Sequence, residues 1–179
     1  MENMNTQTGN ITVSATFPDR DSAERAFQAV EERGYTKDDI NLVMSKDTRK
    51  RYFDEEHEEV HTELGSKAME GAGTGSAIGG TVGAIAGVIA ALGTNLIIPG
   101  LGLVIAGPIA AGLAGAGAGG LTGGLIGALV GSGIKEEHAK VYEKSVKDGR
   151  IVLSVKTNNV EDAAAIRETW EGYGASDIY

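Results

Sequence analysis

The chain has no cysteine, three prolines among 179 residues, few aromatic side chains and a deficit of positive charge, with 16 Lys and Arg against 25 Asp and Glu. Without cysteine, disulfide staples and thiolate metal sites are excluded, and a reducing compartment fits. A net charge of -9 argues against general nucleic-acid binding, because a phosphate backbone calls for a concentrated basic face. The run Arg49, Lys50 and Arg51, beside Tyr52 and Phe53, reads as a solvated linker, so no nucleic-acid partner is expected. The opening MENMNTQTGN lacks a basic patch followed by an apolar run. No secretory signal is expected there; residues 1–10 read as a flexible tail and the location as cytoplasmic.

One absence is local. Residues 71–134 contain no charged residue, no histidine and no aromatic, yet hold 21 of the 27 glycines. That split divides the chain into a charged domain and an uncharged appendage.

In the charged part, Ile11, Val13, Ala15 and Phe17 alternate with Thr12, Ser14 and Thr16, the period of a strand. Asp21 then offers a helix cap with Glu24 three residues on, and Ala23, Ala26, Phe27 and Val30 fall on one helical stripe that Gly34 ends. Ile40, Leu42 and Met44 alternate again. The same order returns in Ile151, Leu153 and Val155, followed by Asn159 as a cap, a helix carrying Ala163, Ile166 and Trp170, and a closing Gly174. A shift of 140 residues superimposes Ile11 on Ile151, Ala23 on Ala163 and Gly34 on Gly174, the signature of an internal duplication.

Two such halves with a short final strand predict an α+β fold: a split ferredoxin-like βαββαβ domain, its antiparallel sheet covered on one face by two helices. The halves are 11–46 and 150–179. Between them lies an insertion with a charged helical stem at 47–70, an uncharged block at 71–133 and a second stem at 134–149, helical from about Lys135 to Lys147.

Within the block, Gly71, Gly75, Gly79, Gly83 and Gly87 recur every four residues, and Gly115, Gly119, Gly123, Gly127 and Gly131 repeat the step, preceded by Gly107 and Ala111. Glycine destabilises a helix interior by about 1 kcal/mol relative to alanine, so a regular row predicts a use for the bare stripe. Such a stripe permits close helix packing. The expected form is an antiparallel glycine-zipper hairpin with arms at 71–92 and about 107–133, Pro108 opening the second arm. Its hydrophobic tip would be Leu96, Ile97, Ile98, Leu101, Leu103, Val104 and Ile105. The apolar flanks of the arms, Ile85 and Leu125 among them, call for lipid or for other copies of the hairpin, since a small acidic domain has no room to enclose them.

The segments VSATFPDRDSAERAFQAVEERGY, IIPGLGLVIAGPIAAGLAGAGAGG and GALVGSGIKEEHAKVYEKSVKDGRIVLSV resemble the bacterial general-stress or heat-induced stress proteins with a glycine zipper. Lys135 stands where such relatives are expected to carry a proline. The resemblance implies a stress-linked, non-enzymatic protein with membrane association, and it carries no catalytic residue across.

His57, Glu58 and His61 form HEEVH, a formal match to the zinc-protease motif HExxH. Glu55, Glu56, Glu59 and Glu63 surround it, which favours a solvated acidic stem over a buried catalytic helix. GAGTGSAIGG imitates a dinucleotide loop, but an acidic segment and not a strand precedes it.

The leading expectation is therefore a non-enzymatic homo-oligomer without cofactor or catalytic residues, assembling through glycine rows, associating with the inner face of the cell membrane or inserting into it as a hairpin. The alternative is a soluble oligomeric scaffold whose bundled hairpins enclose a hydrophobic chamber for lipid or quinone and serve a partner enzyme. A more distant alternative is divalent-metal binding through His57 and His61.

Overall fold

The computed structural model describes residues 11–54, 96–98, 102–110 and 124–179. In chain order the elements are β1 (Ile11–Phe17), α1 (Arg20–Glu32), β2 (Ile40–Ser45), α2 (Lys46–Arg49) running into a π turn (Lys50–Asp54), β3 (Leu96–Ile98), β4 (Leu103–Ala106), α3 (Gly124–Gly131), α4 (Glu136–Lys147), β5 (Ile151–Thr157) and α5 (Val160–Gly172). The fold is α+β. Its strands form one sheet in the order β1-β5-β2-β4-β3, each neighbouring pair antiparallel. Beyond β1, the segment 176–179 runs along the free edge: Thr16 and Ser176 exchange backbone hydrogen bonds at 2.8 and 2.9 Å, and Ser14 and Tyr179 do so at 3.0 and 2.9 Å.

The duplicated halves fold alike. Asn159 caps α5 by accepting from the Asp162 N–H at 2.7 Å, as its position predicts. In the first half Asp19, not Asp21, is the cap, accepting from the Ser22 N–H at 2.8 Å. Asp21 falls in the first turn instead, where the helix dipole favours a carboxylate, and Glu24 pairs with Arg20 at 2.8 Å. Asp19 and Asn159 are themselves 140 residues apart. Both helices end alike, Gly34 at φ +90° and Gly174 at φ +80°, a backbone that a side chain would strain.

Because side chains alternate across a strand, each strand feeds two layers. Val13, Ala15 and Phe17 of β1, Ile40, Leu42 and Met44 of β2, Val104 of β4 and Ile151, Leu153 and Val155 of β5 face α1 and α5, whose Phe27, Val30, Ile166 and Trp170 complete that core. Trp170 is fully buried, stacks edge-on against Phe17 with ring centroids 5.5 Å apart, and donates its indole N–H to Ala26 O at 3.1 Å.

The expectation of one covered face is corrected here. Val43, Val152, Leu103 and Ile105 project to the opposite side and pack beneath Leu125 and Leu129 of α3 and Ala139, Tyr142 and Val146 of α4. The reason lies in the strands themselves: each of β2, β4 and β5 places aliphatic side chains on both faces, and an uncovered second face would leave them in water, at about 1.5–3 kcal/mol for each large side chain.

Candidate assembly surface

The segment expected to be the hydrophobic tip between two helical arms forms a β-hairpin. Leu96, Ile97 and Ile98 form β3 and pair with Ile105, Val104 and Leu103 of β4, which in turn pairs with β2 from Leu42 to Ser45. The β-branched pair Val104 and Ile105 suits an extended chain, and β2 would otherwise leave its outer edge of N–H and C=O groups unpaired. Leu103, Val104 and Ile105 are all buried in the sheet. Leu101 lies outside the described residues.

The second arm, expected as one helix over about 107–133, is interrupted. Gly107 has φ +99°, and a Cβ there would stand 2.3 Å from Ile40 O, so glycine is required for the chain to pass over the start of β2. Residues 108–110 then turn helically, with Pro108 first as expected. Asn41, buried in β2, holds this turn: its Oδ1 accepts from the Ile109 N–H at 2.8 Å, and its Nδ2 donates to Ser154 Oγ at 3.3 Å. Nothing in the sequence pattern marked Asn41, because its task depends on a segment 68 residues away. Gly124 opens α3 at φ +59°, a conformation incompatible with a helix interior, so α3 does not continue a regular helix through that residue.

α3 ends in a close turn in which Gly133 N–H donates to Val130 O at 3.0 Å and Ile134 N–H donates to Leu129 O at 3.0 Å. Gly133 takes φ +95° and Ile134 is buried with Leu129 in one cluster, the apolar clasp that accompanies this helix end. The turn leads directly into α4. On α4, Ala139, Tyr142, Ser145 and Val146 are buried, while His138 and Val141 are half-buried. Tyr142 is fully enclosed; its hydroxyl lies 2.8 Å from Ser14 Oγ and donates to Asp177 O at 2.9 Å. Burial, more than any charge, raises the pKa of this phenol well above the ordinary tyrosine value.

The outer side of α3 is different. Gly127, Val130 and Gly131 are exposed, Val130 by 42%, and a Cβ added at Gly127 or Gly131 would meet nothing within 4 Å among the described residues. Leu125, Ala128 and Leu129 are buried on the inner side. Ile126 packs partly against the same cluster. The four-residue step thus puts two of the predicted glycines on an open, uncharged helix face. Gly71, Gly75, Gly79, Gly83, Gly87, Gly115, Gly119 and Gly123 lie outside the described residues, as do His57 and His61. Among the described residues no three His, Cys, Asp or Glu side chains group as a metal site, and no helix is long and apolar enough to cross a membrane.

No protein-family model, curated protein or solved structure matches the chain in comparison.

Proposed function

We propose that this chain is a non-enzymatic protein that self-assembles through its glycine rows, a compact α+β domain acting as carrier. The observation that carries the reading is the outer face of α3, where Gly127 and Gly131 stand one turn apart, exposed and with none of the described residues against them, beside an exposed Val130. Glycine in a helix interior is unfavourable when nothing approaches it, and an apolar side chain in water adds no stability, so both features gain a purpose when another helix lies against them. Association with like copies is favoured over insertion into lipid, because Leu103, Ile105, Leu125 and Leu129 of the apolar block are already covered by the domain.

The domain itself is read as split ferredoxin-like. In support, the segment 176–179, β1, β5 and β2 lie side by side in the order expected of βαββαβ, with β3 and β4 as an added hairpin beyond β2. Membership of the general-stress family remains part of the same proposal and rests on the resemblance given above.

Light scattering of the full chain in detergent-free buffer tests the assembly. The expected result is an oligomer that dissociates in the Gly127→Leu, Gly131→Leu double variant while the circular dichroism and melting temperature are retained. A wild-type monomer, or an oligomer mass unchanged in the variant, would overturn the reading. Flotation of the wild type with liposomes would favour membrane association instead.

A further inference from the structure

At the opposite end of β1 from the α1 junction, the start of α4, α5 and the segment 176–179 enclose a cavity of about 280 Å³. Thr12, Lys135, His138, Arg167 and Tyr179 contribute to its wall. We infer that this cavity binds a small anionic molecule through a single phosphate or carboxylate group.

Two cations from separate elements converge on the cavity, Lys135 ahead of α4 and Arg167 from α5, and neither has an ion-pair partner among the described residues. In a chain with nine more acidic than basic groups, cations without partners at a shared concavity are where an anion gains most. The two acids that open α4 do not neutralise them. Glu136 is engaged by Lys140 at 2.7 Å, and that pairing holds its carboxyl below the usual range. The Glu137 side chain is 72% exposed, its carboxylate 3.5 Å from His138 Nε2.

The remaining wall suits the same ligand. His138 stacks on Tyr179, ring centroids 3.6 Å apart and planes 11° from parallel, giving a flat, rigid side. The Thr12 hydroxyl has no hydrogen-bond partner among the described residues and is free to donate. Lys135 occupies the cap position of α4 without a side-chain cap, so the dipole at that helix start adds to the sign that the cations already set. The volume lies just under the roughly 300 Å³ at which drug-sized pockets begin, which suits a molecule near the size of a sugar phosphate or small dicarboxylate.

Nuclear magnetic resonance of the full chain, titrated separately with inorganic phosphate and with succinate against chloride at matched ionic strength, tests this. Saturable shifts at the His138 and Tyr179 rings are expected with at least one of the two anions, and the stronger identifies the ligand chemistry. Replacing both cations, Lys135→Gln with Arg167→Gln, should weaken binding about tenfold or more, since each removes a charge-assisted hydrogen bond. Arg167→Lys, which keeps the charge, should weaken it less than Arg167→Gln. Shifts no larger than those in chloride, or equal affinity in the double variant, would overturn the assignment. Oligomer mass is expected to stay unchanged in these variants, so this result and that of the assembly experiment are independent.

Discussion

The two faces of the sheet are built from different parts of the chain and by different means. One is covered by α1 and α5, amphipathic helices supplied by the duplicated halves, each capped by a side chain and each ended by a left-handed glycine. The other is covered by α3 and α4 out of the insertion. α4 is amphipathic too and is followed by a left-handed glycine, Gly149, though no side chain caps it, whereas α3 carries no polar side at all, so its sequence does not say which side goes inward. Coverage of a sheet therefore does not require an amphipathic helix. It requires a neighbour that sets the rotation, here the Gly133 turn that joins α3 to α4.

That contrast can be broken most severely on the first face. Trp170→Ala removes the largest enclosed side chain there, its edge contact with Phe17 and its bond to Ala26 O. We expect a loss of about 3–5 kcal/mol in urea unfolding. On the second face the corresponding weak point is backbone, not bulk. Gly107→Ala puts a methyl group against Ile40 O at φ +99° and should lower stability by roughly 2–4 kcal/mol, with disturbed amide signals in β2 and β4 but not in α1.

Tyr142→Phe has a smaller expected effect, about 1–3 kcal/mol, because the ring is kept while Ser14 and Asp177 O lose their partner. Its pH behaviour sharpens the assignment. Burial raises the folded-state pKa of Tyr142, and burial with the Asp162 carboxylate raises that of Tyr35, so the unfolded chain loses these protons first. Stability is then full below the unfolded tyrosine value of about 10 and falls as the pH rises above it. Thermal melts of Tyr142→Phe should show a shallower alkaline decline than the wild type. An equal slope would remove Tyr142 as its source.

The smallest effect on folding is expected on the outside of α3. Gly127→Leu and Gly131→Leu each meet none of the described residues and should change stability within about 0.5 kcal/mol or raise it slightly. A loss like that of Gly107→Ala would mean that these glycines pack within the chain, and the proposed division between an inner and an outer side of α3 would fail.

The halves were legible because their signals are local. Alternation placed β1, β2 and β5, helical spacing placed α1, α4 and α5, and Gly34 and Gly174 marked two ends. One misreading was also local: Asp21 and Asp19 both precede the apolar stripe, and only the backbone entering α1 distinguishes them. The cavity between β1, α4 and α5 left no mark in the sequence, since Thr12, Lys135 and Arg167 share no motif and meet only when three elements do.

Sequence alone determined that the chain divides into a charged domain and an uncharged insertion, and that the domain is made of two like halves, because charge, period and repeat are properties of neighbouring residues. Tertiary structure decided where the insertion goes. A run such as Leu103 to Ala106 is equally apolar as helix or strand, and it became a strand because the edge of β2 offered hydrogen bonds and the second face of the sheet offered cover. Likewise Gly107, Gly127 and Gly131 look alike in a four-residue row. One meets backbone and the others meet none of the described residues, and that difference is set by what lies beside them, which no spacing records.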